Sequence, residues 1–95
     1  DNEKKEVNQR IYIGKSLRKF RKAKAKDYTQ ERLAEESNLS PRFINYLELN
    51  KRCVSLDNIF AIARALGIKP SEFVKEIEKD YDIWLLICDS RKRNA

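Results

Sequence analysis

Residues 37–45 read SNLSPRFIN, and the Ser40-Pro41 step at their centre constrains the fold more than any other feature. Proline fixes φ near the helical value and lacks an N–H, so it is tolerated at the first position of a helix and breaks one elsewhere. With Ser40 before it as N-cap, Pro41 therefore starts a helix. Asn38 stands where a left-handed residue would close the helix before it, a conformation Asn tolerates better than most other non-glycine residues. Two short helices joined by only three or four residues must be held at a fixed angle, which is the sequence form of a helix-turn-helix unit.

The flanks extend this pattern to five helices. Ile13, Leu17 and Phe20 recur at helical steps and predict a first helix from about Val7 or Ile11 to about Ala25. Thr29 caps the second helix, although Arg32 occupies the place where Glu or Gln would complete a capping box. Leu33 and Ala34 are expected to face inward, and Glu31 suits the positive end of the helix dipole. The third helix has Phe43 or Ile44 with Leu47 as its apolar edge and stops near Leu49 or Asn50. In the fourth, Ser55 caps, Leu56, Ile59, Phe60, Ala63 and Leu66 form the expected inward stripe, and Gly67 ends it. The fifth takes Lys69 or Ser71 as cap and Pro70 as its first residue, running to about Lys79 and burying Phe73, Val74 and Ile77. The segment YDIWLLICD that follows suits either a helix or a strand packed on its own domain, or an element buried against a second subunit.

A chain of 95 residues accommodates one small domain. We read it as all-α, with the domain over residues 7–79 and a C-terminal extension over 80–95 that serves as a dimerisation element with a basic tail. There is no methionine, so residues before Asp1 are expected. The charged start DNEKKEVNQR leads into no secretory apolar stretch. The longest apolar run, Ile83 to Cys88, is far short of the ~18 residues a membrane span needs. A cytoplasmic protein with no membrane association is expected. Cys53 and Cys88 share no metal-binding spacing and histidine is absent, so no metal, cofactor or disulfide is expected. Nor is there a paired-carboxylate site, a phosphate-cradling glycine loop, or a Ser or Cys with a visible base, which argues against an enzyme.

Charge gives the positive indication. Residues 15–26, KSLRKFRKAKAK, carry seven Lys or Arg and no acid, within a net charge of +6. Such an uneven basic field suits a polyanion, nucleic acid before an anionic membrane surface.

The ordered set Thr29-Gln30, Leu33-Ala34, Leu39-Ser40, Ile44, Leu47-Glu48, Ser55-Leu56, Ile59, Ala63, Leu66-Gly67-Ile68 and Glu72-Phe73 resembles the XRE-type helix-turn-helix family. That family includes phage repressors, Cro-like proteins and restriction-modification controller proteins. The likeness covers roughly Gly14 to Val74 and implies a compact five-helix lambda-repressor-like domain. It also implies that the helix after the turn enters the major groove of double-stranded DNA, which places base contacts at Pro41, Arg42, Asn45 and Tyr46. Gln30 looks like the family residue that contacts phosphate and buttresses that helix. Glu48 matches a family Glu that pairs with an arginine of the first helix. Here Ala23 stands where many members carry that arginine, so the mate is left between Arg18 and Arg21. Pro41 replaces a hydrogen-bonding Gln found in several relatives, and base reading then rests on Arg42 and Asn45.

The chemistry of these side chains agrees. Arg can fork onto guanine O6 and N7, Asn can pair with adenine through two bonds, and the Tyr ring can meet phosphate or a thymine methyl. Arg42 at a helix start is unfavourable for the helix dipole, and Asn45 is a poor mid-helix residue, so neither is explained by helix stability. Phosphate contacts are expected from Gln30, Ser40, Asn50, Lys51 and Arg52, and from Lys15, Lys19 and Lys22. One module buries little DNA surface, so the expected form is a homodimer on a palindromic operator that regulates transcription, as repressor or activator. By the resemblance, the dimer contact falls to the fifth helix and beyond: Phe73, Ile77, Tyr81, Trp84 and Leu85. The alternative is an antitoxin-like DNA-binding protein whose C-terminal segment binds a toxin, and contact with RNA polymerase is a further option.

Overall fold

The computed structural model describes residues 10–79 and residue 81. They form helices α1 (Gly14–Lys24), α2 (Gln30–Ser37), α3 (Pro41–Glu48) and α4 (Leu56–Leu66), followed by α5 over residues 70–79. No strand occurs among the described residues. The C-terminal extension, including Trp84, Leu85 and Cys88, lies outside them.

The starts of α2 to α5 and the ends of α2 and α4 have local causes, whereas the start of α1 does not. The Thr29, Ser40 and Ser55 hydroxyls accept from the backbone N–H of Arg32, Phe43 and Asn58 at 3.0, 3.0 and 3.2 Å, capping α2, α3 and α4. Asn38 ends α2 in the left-handed conformation with φ 61°, and Gly67 ends α4 with φ 76°. At α5 the cap falls to Lys69, whose N–H donates to the Glu72 carboxylate at 3.0 Å, so a side chain three residues on reaches back over the helix start. α1 starts at Gly14, later than Val7 or Ile11. Ile13 supplies no side-chain cap there, and the Gly14 N–H is taken by the Asn50 side chain.

α2 packs against α3 and α4, and α1 packs against the same two helices. Leu17, Tyr28, Leu33, Ile44, Leu47, Ile62 and Phe73 are fully buried where these helices converge. Each such aliphatic side chain contributes about 1.5–3 kcal/mol relative to exposure. α5 closes the core: Phe73 meets Phe20 of α1 edge-on, with ring centroids 5.7 Å apart.

Three positions differ from the pattern read in the sequence. Leu56 and Phe60 are 68% and 54% exposed, because the buried stripe of α4 is Ile59, Ile62, Ala63 and Leu66. Phe60 lies ~100° round the helix from Ile59, and Leu56 precedes the packed part of α4. Val74 is 44% exposed for the same reason, next to buried Phe73.

The α1–α2 loop holds a further departure. Tyr28, in the segment where the helical pattern breaks, is 1% exposed. Its hydroxyl donates to the Glu36 carboxylate at 2.5 Å, and Lys24 Nζ lies 4.5 Å from its ring centroid while donating to the Ala65 carbonyl at 2.6 Å. The loop is thus tied to α2 and to the C-terminal end of α4. Burial first, then the hydrogen bond to Glu36, pushes the Tyr28 phenol well above its ordinary range. The same bond, aided by Lys24 and Arg32, holds the Glu36 carboxyl below the usual carboxylate value.

Candidate nucleic-acid interface

α3 is presented by a scaffold built from its buried side. Ile44 and Leu47 fill the core, and Glu48, 4% exposed, is a buried charge that needs partners. Arg21 of α1 supplies two, with Nε and Nη2 donating to the two carboxylate oxygens at 2.6 and 3.1 Å. Gln30 at the start of α2 supplies a third through Nε2 at 2.9 Å. Three helices therefore meet at one carboxylate. Arg21 also donates from Nη1 to the Tyr28 carbonyl at 2.8 Å, which fixes the loop between α1 and α2. Arg18, the other candidate mate, donates instead to the Glu48 backbone carbonyl at 3.3 Å, where an unpaired carbonyl at the helix end favours a cation. The arginine stands nine residues before Gln30 and not seven.

The opposite side of α3 carries Pro41, Arg42, Asn45 and Tyr46. Pro41 and Arg42 are exposed, and Asn45 and Tyr46 are half-buried. They stand at steps of one and four residues, which puts all four on one face of a helix. Arg42 Nε donates to the Tyr46 hydroxyl at 3.1 Å, and the guanidinium carbon sits 5.6 Å from that ring's centroid. Arg42 is thereby laid along the helix with its two terminal amino groups unpaired among the described residues. The Asn45 amide likewise makes no hydrogen bond among them.

The expected phosphate-contacting residues separate into groups. Lys51 and Arg52 are exposed in the loop after α3. The Ser40 hydroxyl accepts from Phe43 N–H, and the Gln30 amide donates to Glu48. Asn50 adopts φ 59°, and its side-chain oxygen accepts from Gly14 N–H at 2.9 Å, closing the end of α3 onto the start of α1. A Cβ on Gly14 would lie 2.5 Å from both the Asn50 oxygen and the Glu48 carbonyl, so only glycine fits there. This clasp was not read from the sequence, where the sole signal was an Asn just past a helix end.

Lys19 is paired with Glu76 of α5 at 2.7 Å. That contact, ahead of a second with Lys79, holds the Glu76 carboxyl below its ordinary value. Lys15 and Lys22 share a stripe of α1 with Lys19, at steps of four and three, whereas the side of α1 against α3 is marked by Gly14, Arg18 and Arg21. Of the residues expected at a subunit contact, Phe73 is fully buried and Ile77 is 8% exposed, both within their own domain. Tyr81 is half-buried. Trp84 and Leu85 lie outside the described residues.

Among the described residues no group of His, Cys, Asp and Glu could hold a metal ion, and no helix is long and apolar enough to cross a membrane. Cys53 is a free, exposed thiol.

Comparison with known proteins agrees with this geometry. A helix-turn-helix family model matches residues 17–73. The control protein C.BamHI of Bacillus amyloliquefaciens is 39% identical over 67 residues, which span 70% of this chain and 82% of that protein. The control protein C.MunI of a Mycoplasma species is 39% identical over 71 residues, 75% of this chain and 95% of its own. Among solved structures, the restriction-modification controller protein C.AhdI of Aeromonas hydrophila superposes with a TM-score of 0.60 at 40% identity, covering 66% of this chain and 92% of that one. The clp gene regulator ClgR of Corynebacterium glutamicum superposes with a TM-score of 0.68 at 28% identity, covering 84% and 83%. The chain belongs to the XRE-type helix-turn-helix family of DNA-binding transcription regulators.

Proposed function

We propose that this protein is a homodimeric regulator that binds a palindromic operator in double-stranded DNA, with α3 in the major groove. The observation that carries the reading is the two-sidedness of α3. Its inner side is locked by Ile44, Leu47 and the Glu48 network, while its outer side presents Arg42 and Asn45 with polar groups unengaged. Such groups, on a rigid helix, match the hydrogen-bonding edges of guanine and adenine. Pro41 and Tyr46 add apolar contact on either side. Lys51 and Arg52 bind phosphates beside the groove, and Ser40 and Gln30 flank the same end of the unit. Lys19, being paired with Glu76, is left out of this footprint.

Three relatives at 39–40% identity are named as control or controller proteins, one of them of restriction-modification. This supports the same role here, in the cytoplasm and on the operator of a restriction-modification gene set. No observation favours an antitoxin. Binding of a fluorescent duplex carrying the promoter region of the protein's own gene, titrated at several salt concentrations, tests the reading. Nanomolar binding that beats an unrelated duplex by ~1,000-fold or more is expected of a specific operator. Equal affinity for both duplexes would refute it.

A further inference from the structure

With Phe73 and Ile77 enclosed in their own domain, the two most exposed large apolar side chains on the described helices both stand on α4, ahead of Val74 on α5. Leu56 and Phe60 are 68% and 54% exposed and stand one helical turn apart. Asp57 and Arg64 are both exposed on the same helix, and neither forms an ion pair among the described residues. We propose that this face of α4 is the homodimer contact, with α4 packed antiparallel on α4 of a second copy and Phe60 on the twofold axis. The proposal rests on the homodimeric reading above and names its surface.

The charge pattern selects the occupant. At ~100° and ~1.5 Å per residue, Asp57 lies ~60° round from Phe60 and ~4.5 Å before it, and Arg64 lies ~40° round on the same side and ~6 Å after it. A twofold axis through Phe60, perpendicular to both helices, reverses position along the helix and keeps that side. Asp57 of one copy then falls within ~1.5 Å, along the axis, of Arg64 of the other. The operation produces the pair twice, flanking a central Phe60–Phe60 contact, as a closed isologous interface requires. Parallel packing would set Asp57 against Asp57 and Arg64 against Arg64. The face is therefore complementary to itself in one orientation, with an aromatic anchor in the middle and charges at the rim.

Charge exchange tests it with full-length chains, by sedimentation equilibrium and by native mass of mixtures. Phe60→Ala should weaken the dimer by at least ~30-fold, the loss typical of a central aromatic anchor. Asp57→Arg and Arg64→Asp should each weaken the homodimer by roughly 5-fold or more through like-charge contact. Mixed together, the two single variants should pair preferentially with each other, and the double variant Asp57→Arg/Arg64→Asp should regain the original homodimer. All three positions are exposed, so a circular dichroism melt unchanged at low concentration confirms folding of each variant. A wild-type dimer insensitive to Phe60→Ala, with statistical mixing of the charge variants, overturns this surface while leaving the homodimer intact. A wild-type chain that stays monomeric, with and without DNA, overturns the homodimer itself and this surface with it.

Discussion

Arg21 and Glu48 form a two-pronged pair, Nε and Nη2 donating at 2.6 and 3.1 Å, with side-chain exposures of 13% and 3%. The pair joins α1 to the last turn of α3, and Gln30 brings the start of α2 to the same carboxylate. A buried pair of this kind is weak evidence of net stabilisation, but removal of one partner leaves the other charge without solvation. Arg21→Ala should therefore cost about 3–5 kcal/mol in urea denaturation, and the loss should persist in high salt because the pair is screened little. Arg18→Ala removes only a long bond to a carbonyl and should cost about 1 kcal/mol.

Asn50 serves two roles that substitutions can separate. Its φ of 59° favours Asn or Gly, and its side chain holds Gly14 N–H. Asn50→Gly should keep the turn and lose roughly 1 kcal/mol for the hydrogen bond, whereas Asn50→Ala should lose that and a further ~1 kcal/mol of backbone strain. Gly14→Ala should be the most damaging of the three, since the contacts it would make at 2.5 Å are partly with backbone. Thermal melts of the three variants give the order.

Stability should fall at both ends of the pH range through the Tyr28–Glu36 bond. The Glu36 carboxyl is lowered in the fold, so its contribution is present above the ordinary carboxylate value of 4.5 and is lost as pH falls through the lowered one. The Tyr28 phenol is raised, so its contribution is complete below its ordinary value of 10.0 and declines as pH rises above that. Tyr28→Phe should flatten both limbs of a plot of denaturation midpoint against pH. Limbs as steep as those of the wild type would remove the bond from the account.

Salt dependence separates the lysines. Lys51→Ala and Arg52→Ala should each reduce the slope of log affinity against log salt by about 2 per bound dimer, the loss of one phosphate contact from each subunit. Lys19→Ala should leave the slope unchanged, because that ammonium is held by Glu76.

Local chemistry was legible in the sequence and long-range geometry was not. Caps at Thr29, Ser40 and Ser55 and terminators at Asn38 and Gly67 act within three or four residues, so type and spacing alone revealed them. Periodicity located the face of α4 only to within a neighbour. Ile59, Phe60 and Ala63 all suit one stripe, and burial of Ile62 decides which side faces the core. Tyr28 is buried by partners on α2 and by Lys24, which itself reaches Ala65 of α4, contacts no local pattern records. The mate of Glu48 stayed open between Arg18 and Arg21 for the same reason, since both lie on the side of α1 that meets α3 and only the packed distances separate them. The outer face of α3 was legible because a four-residue step on a short helix leaves little freedom once Ile44 and Leu47 are inside.

The central claim is that Arg42 and Asn45 read bases while the rest of the domain holds them in place. Selection of bound sequences from a random duplex pool, run with wild type, Arg42→Ala and Asn45→Ala, measures it directly. The wild type should return two related half-sites about one helical turn apart. Arg42→Ala should lose the preference at a guanine and Asn45→Ala at an adenine, each by about 1–3 kcal/mol, with the other positions retained. Recovery of the wild-type sequence by both variants would contradict the claim.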